Sequence, residues 1–481
     1  MNKILLTLGI TVGVLSLSSC EDQLTNTPHN SLTPSSLFST TSGFSSAIKG
    51  VYSGMIGNDR DAYRDYYGGD YYSVPDILSD NLIINQKGRQ SKRTLYDWLY
   101  NSNSYGGFDL YADAYKTINR CNKIIENINN LTEGAFKNNI EGEALAIRAL
   151  AHFNLVRTYA QVPTQSTNAG ESLGVPYVTS SDPLLKPVRN TVNEVYANIV
   201  SDLIASDNLI ATSNGTGRFN KNTVASILSR VYLYMGEWQN AINAANKVAG
   251  NVASITDFPK VWKDESFEGV ISLFLIRNID QIAIGTEYSQ TSAASGVRSE
   301  YVISYDFYQK YKSNDIRKNS YISTSPFAGT NYNHIAKYFG KSGQTNNIVN
   351  AKVIRMAEVM LNKAEALSEL PGQDAAALIA LDAVRSKRYT NFVSGGETGE
   401  ALKDAIALER RLELAFEGHR FYDIKRKGGA INRHTTFGDL ADGTGVAPVF
   451  KTLKAGDHKF QLPIPQDAMN ANPNLVQNPG Y

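Results

Sequence analysis

Ala351-Lys-Val-Ile-Arg-Met-Ala-Glu-Val-Met-Leu-Asn-Lys-Ala-Glu-Ala-Leu-Ser-Glu-Leu370 is followed by Pro371-Gly372, and then by Asp374-Ala-Ala-Ala-Leu-Ile-Ala-Leu-Asp-Ala-Val-Arg385. Val353, Ala357, Met360, Ala364 and Leu367 recur at steps of three and four, which places them on one side of a helix. Pro371-Gly372 stops that helix and the Asp374 carboxylate can cap the next, so 351–388 reads as a helical hairpin. Small Ala357 and Ala364 permit close approach of the two helices. A lone hairpin cannot cover both of its apolar faces, so further helices must stack on it.

The chain supplies them. Ala225, Leu228, Tyr232 and Gly236 repeat the spacing of Ala357, Met360, Ala364 and Ser368, and Ala149, His152, Val156 and Ala160 repeat it again. Glu237-Trp238 then leads into Ala241, Ala244 and Ala245, with a stop at Gly250. This pattern of paired helices predicts a mainly α, tetratricopeptide-like helical-repeat scaffold. Two long stretches, 57–108 and 251–349, lack the helical period and predict an irregular face of loops and short strands. Among them Val270 to Ile276 reads as a strand, and Ile335 to Phe339 as another. Gly399 to Arg426 reads as one final long helix, and the proline-rich tail from Leu462 as neither regular structure.

Lys plus Arg is 47 and Asp plus Glu 46, so net charge provides no footprint for nucleic acid. Lys3 precedes an apolar run, Ile4 to Leu17, that is shorter than the ~20 residues a membrane span needs. It therefore reads as a signal peptide, residues 1–19. Leu17-Ser18-Ser19-Cys20 resembles a bacterial lipobox, in which Cys20 is lipidated. Residues 20–42 then form an anchor and tether, and 43–481 the folded domain. Cys121, the remaining cysteine, lies among helix-spaced apolar residues and reads as a buried free thiol.

Five stretches, in order, resemble the SusD/RagB family of outer-membrane nutrient-binding lipoproteins. They are the lipobox; Glu143 to Pro163; Ile354 to Ala366 with Val384-Arg385; Glu409-Arg-Arg-Leu-Glu-Leu-Ala-Phe-Glu-Gly-His-Arg-Phe-Tyr-Asp423; and Leu462-Pro-Ile-Pro465 through Gln477-Asn-Pro-Gly-Tyr481. The resemblance implies a tetratricopeptide-like scaffold and surface exposure on the outer membrane. It also implies a partner, a SusC-like TonB-dependent barrel. Glycan fragments are the leading ligand class and peptides, as for RagB-like members, the alternative. Calcium is bound by some members of the family; no ligand string for it stands in this sequence.

Glu409, Glu413 and Glu417 share a helix face, with Arg410, Arg420 and Asp423 at three-residue steps from one another or from these glutamates. Paired carboxylates invite a glycoside hydrolase reading, but neighbours on one helix cannot flank a glycosidic bond from two sides. The six residues read as a structural ion-pair network. No metal-binding helix, phosphate loop or nucleophile elbow appears, so no catalytic residue, metal or cofactor is assigned.

Residues 63–111 carry Tyr71, Tyr72, Trp98 and other aromatics, interleaved with Asp80, Asn81 and Asn101. Flat rings suit the C–H faces of sugars, and planar polar groups suit their hydroxyls. These six residues, with Tyr288 and Tyr301 from the second irregular stretch, form the predicted ligand face.

Overall fold

The computed structural model describes residues 33–57, 66–104, 106–267, 269–274, 284–286, 288–292, 296–341, 347–433 and 445–481. The leader, Cys20, Tyr63 and Tyr105 lie outside them.

The fold is mainly α. The helices that carry it are α1 (Thr41–Gly54), α2 (Asp70–Ile77), α3 (Leu110–Asn127), α4 (Ala135–Tyr159), α5 (Val192–Leu209), α6 (Lys221–Met235), α7 (Trp238–Asn246), α8 (Met356–Ser368), α9 (Asp374–Arg385), α10 (Gly399–Glu413), α11 (Arg420–Arg426) and α12 (Gln466–Ala471). Local sequence sets their ends. Thr191 and Glu194 form a reciprocal capping box at the start of α5, through bonds of 3.2 and 2.9 Å. Gly236 ends α6 in the left-handed conformation that glycine adopts without penalty.

Neighbouring helices pack in chain order from α3 to α7. α8 then docks on α6 and α7, and α9 and α10 pack on α8. Ala357 and Ala364 are buried between these helices with Leu233, Ala241, Leu361, Leu381 and Ile406. The close approach expected of the two alanines is what the structure shows, and a larger side chain at Ala364 would overpack it by about 1–3 kcal/mol. The two repeats are also pinned by charge: Arg230 of α6 grips Glu358 of α8 at 2.6 and 2.7 Å, with both side chains almost wholly buried.

Four expectations are corrected. The 351–388 hairpin opens as a strand, Ala351–Arg355, which pairs antiparallel with Val270–Phe274 before α8 begins at Met356. Val353 and Ile354 are β-branched and both buried, so pairing overrides the helical period there, and Val353 leaves the helix face. The single helix over 399–426 is broken between α10 and α11. Phe416 and Gly418 have φ of 66° and 77°, and a Cβ on Gly418 would lie 2.5 Å from the Tyr71 carbonyl oxygen. The strand expected from Ile335 ends there, being Thr330–Ile335 in a hairpin with Ile322–Phe327. The tail forms α12, because Pro465 precedes the helix and so removes no bond within it.

The irregular stretches are more ordered than their sequence suggests. Strand Leu82–Asn85 joins a five-stranded antiparallel sheet in the order Gly445–Val446, Leu82–Asn85, Tyr301–Ile303, Thr330–Ile335, Ile322–Phe327. α2 lies wholly buried beside it, near α11.

Candidate functional site

The charged helix is a buried network, but its partners are not those expected from helix spacing. Glu413 receives Arg388 at 2.8 and 2.9 Å, Arg355 at 2.8 Å and Arg317 at 3.2 Å. Glu409 binds Arg317 at 2.6 Å, and Glu417 binds Arg355 at 2.6 and 2.8 Å and Lys337 at 2.7 Å. Burial alone would raise the Glu413 carboxyl, but Arg388, Arg355 and Arg317 hold it well below the usual carboxylate range. Arg410 meets Asp423 at 2.9 Å across the break between α10 and α11. Arg420 pairs with neither Glu417 nor Asp423 but with Asp80, at 2.7 and 2.9 Å, because the break turns its side chain towards the segment after α2. Every acid here is matched to a guanidinium or ammonium group. None is left to protonate or attack a substrate.

Asp80 and Asn81 were expected on the ligand face, and the structure corrects both. Asp80 is the counter-ion of Arg420 and Arg411, whose charges outweigh its burial and hold it far below the ordinary carboxylate range. Asn81 is buried, accepting from Arg411 at 2.9 Å and donating to Asp76 at 2.7 Å.

The aromatic expectations are corrected in the same way. The Trp98 indole N–H donates to the Leu78 carbonyl at 2.9 Å, the Arg433 guanidinium lies 4.0 Å from its ring, and only 3% of the residue is exposed. Tyr71 donates to Asn154 at 2.8 Å and Tyr72 to the Lys352 carbonyl at 2.9 Å. Tyr288 donates to the Tyr72 carbonyl at 3.1 Å and Tyr301 to the Ser91 carbonyl at 2.6 Å. All five rings are buried, so they bind irregular backbone to the core and offer no open face. Asn101 alone of the eight is exposed, in a tight turn closed by backbone bonds with Ser104.

That turn abuts an open groove. The Gln466 N–H at the start of α12 donates to the Ser102 carbonyl at 3.0 Å. α12, the first turns of α3 and the 176–187 loop enclose a groove of about 390 Å³. Tyr111 and Tyr115 of α3 line it with Val178, Leu185 and Leu475, and Asp109, Asp182 and Asp467 are its ionisable groups. No Lys or Arg is among the described lining residues. Asp109 caps α3 by accepting from the Ala112 N–H at 3.3 Å. Burial, with Asp467 nearby, raises its pKa above the ordinary carboxylate value. The walls are fixed by polar contacts: Tyr115 donates to the Pro176 carbonyl at 2.9 Å, and Asn472 to the Pro187 carbonyl at 2.8 Å. Sequence reading missed this groove; Tyr111 itself is buried, and Tyr115 is the more exposed of the two rings. The groove's second wall is made by the C-terminal tail, which no local pattern connects with α3. Among the described residues no group of three or more His, Cys, Asp or Glu could hold a metal ion, and no helix is long and apolar enough to cross a membrane.

Comparison with known proteins covers both halves of the chain. Residues 252–481 match the model of the SusD family, and residues 34–233 match a SusD-like model described as starch-binding associating with outer membrane. A SusD-like protein from Formosa agariphila is 27% identical, over 97% of this chain and 98% of its own. A SusD superfamily protein from Bacteroides thetaiotaomicron superposes with a TM-score of 0.80 at 29% identity, over 92% of this chain and 100% of its own. A Bacteroides vulgatus protein provisionally described as sugar binding gives a TM-score of 0.79 at 29% identity, over 92% and 98%. With the helical array, the buried arginine–glutamate network and this full-length correspondence in hand, the chain belongs to the SusD-like family.

Proposed function

We propose that the chain is a cell-surface lipoprotein that captures glycan fragments and passes them to a SusC-like, TonB-dependent outer-membrane transporter. The carrying observation is the groove: the half-buried Tyr115 ring with carboxylates beside it, next to the exposed Asn101 turn. Aromatic rings accept the C–H faces of sugars, and carboxylates and amides accept their hydroxyl protons. The starch-binding description of one matching family model and the sugar-binding description of one structural relative support this reading. Lipidation at Cys20, after a leader of residues 1–19, supplies the anchor in this reading, and residues 20–42 the tether to the domain 43–481. The role is binding without catalysis, since the clustered carboxylates of α10 are consumed by structural pairs.

Calorimetric titration with a panel of oligosaccharides tests the proposal. A glycan that saturates the wild-type protein and binds at least tenfold more weakly to Tyr115→Ala supports it. Binding that is unchanged in Tyr115→Ala but lost in Asn101→Ala would place the ligand on the loop face outside the groove. One observation favours a second reading: the charged side chains among the described lining residues are all acids, which suits a peptide carrying a positive charge beside an apolar side chain. Saturation by such peptides and by no oligosaccharide would select it. Fractionation tests the anchor: Cys20→Ala should release the protein from membranes lacking the transporter.

A further inference from the structure

Arg157 of α4 lies in the core with only 1% of its surface exposed. Its guanidinium sits 4.4 Å from the Tyr422 ring centroid, 5.1 Å from that of Phe153 and 5.2 Å from that of Tyr71. Ring faces attract the charge, but they accept nothing from the N–H groups at the guanidinium edge. Nε and Nη1 have no acceptor among the described residues. Neighbouring acceptors are already engaged: Asn154 Oδ1 accepts from Tyr71, and the Tyr422 hydroxyl is bonded to Thr158. No carboxylate among the described residues pairs with Arg157. Lys425, beside it, donates to the Arg157 and Ala160 carbonyls at 2.7 and 2.6 Å.

Two further donors share this region. The hydroxyls of Tyr196 on α5 and Tyr234 on α6 are fully buried and unpartnered. Both rings flank Phe153 edge-on, at 6.0 and 5.1 Å, and both tyrosines lie within electrostatic reach of Arg157. One permanent cation and the rings of two tyrosines with unpartnered hydroxyls therefore pack on the same phenylalanine. An orphaned buried donor is destabilising, and more so if charged. We propose that Arg157, Tyr196 and Tyr234 hold a small monovalent anion, chloride, inside the helical array. Water could accept the same hydrogen bonds, but it would leave the guanidinium charge unbalanced in a medium that penalises it. The anion would join α4, α5 and α6 through one charge-assisted centre.

Crystals of the protein soaked in sodium bromide provide the direct test. An anomalous peak within hydrogen-bond distance of Arg157 Nη1 and a tyrosine hydroxyl is expected; density without anomalous signal identifies water and overturns the proposal. Melting in sodium chloride against sodium gluconate at equal ionic strength is the second arm. Chloride should raise the wild-type midpoint, and the Tyr196→Phe/Tyr234→Phe double variant, which retains both rings, should need at least tenfold more chloride for the same rise. Without a bound anion, deleting two orphaned hydroxyls is neutral or stabilising in either salt. That result, or an unchanged chloride response in the double variant, also overturns the proposal.

Discussion

Glu413 and Asp109 are both carboxylates on well-formed helical segments, and their surroundings are opposite. Glu413 is enclosed by three guanidinium groups drawn from Arg317, Arg355 and Arg388, which lie far from it in sequence. Asp109 borders a groove lined by other acids and apolar side chains, with its own helix cap as its backbone partner. The network thus matches the buried Glu413 with cations in direct contact, whereas Asp109 has no cation in contact among the described residues and feels Lys116 only at a distance. A matched carboxylate holds elements together; an unmatched one at an open edge is available to a ligand. The contrast makes separable predictions for stability and for binding.

The largest effect is expected in the scaffold. Glu413→Ala strands the buried Arg388, which has no other carboxylate among the described residues, and should cost about 3–5 kcal/mol of stability, measured by denaturant titration, because breaking a buried ion pair leaves an uncompensated charge. A loss below about 1 kcal/mol would show that the network is solvated in solution.

Acidification comes next. Burial pushes His152 and His419 down to about 3, so neither takes up a proton in the folded state near neutrality. Unfolded histidine titrates at about 6.5. The stabilisation is therefore full above that value, and is lost as pH falls from it towards the folded values near 3. At pH 5 each histidine should have lost about 2 kcal/mol. Melts at pH 7 and 5 measure these losses against an opposing gain from Asp76, whose carboxyl burial pushes up to about 6, and His152→Gln should recover about 2 kcal/mol of the difference.

Trp98→Ala ranks third, at about 3 kcal/mol of stability, the cost of removing a buried indole with its hydrogen bond. If that variant instead keeps its melting temperature and loses ligand affinity, the ring is accessible and the boundary between scaffold and ligand face must move.

The smallest stability effect is expected at the groove. Tyr115→Ala should lower stability by about 1 kcal/mol, that being the worth of its bond to Pro176. It should weaken ligand binding about tenfold, equivalent to about 1.4 kcal/mol. A melting shift as large as that of Trp98→Ala would reassign Tyr115 to the scaffold.

Much of the fold was legible in the sequence because helical periodicity is local. Ala357 and Ala364 at a seven-residue step and the stop at Pro371-Gly372 each act within a few residues of themselves; the cap expected of Asp374 does not form, since its carboxylate accepts from the Gly399 N–H at 2.7 Å instead. The residue types of the charged network were legible for the same reason, and Cys121 is the buried free thiol expected from its apolar neighbours. The choice of partners was not. Arg420 could have reached Asp423 along a continuous helix. It meets Asp80 instead, because the left-handed backbone at Phe416 and Gly418 redirects the chain.

What the sequence by itself determined is the paired helices of the scaffold, the small residues at their contacts and which side chains carry charge, since these follow from spacing along the backbone. Only the tertiary structure decided which aromatic rings are open. Trp98 and Tyr115 both have tyrosines close by in the sequence. Arg433, far along the chain, covers the first, while the C-terminal tail and the 176–187 loop leave an open groove beside the second. Composition reports the chemistry a ring can offer. Its accessibility depends on distant segments converging on it, and that information is not local.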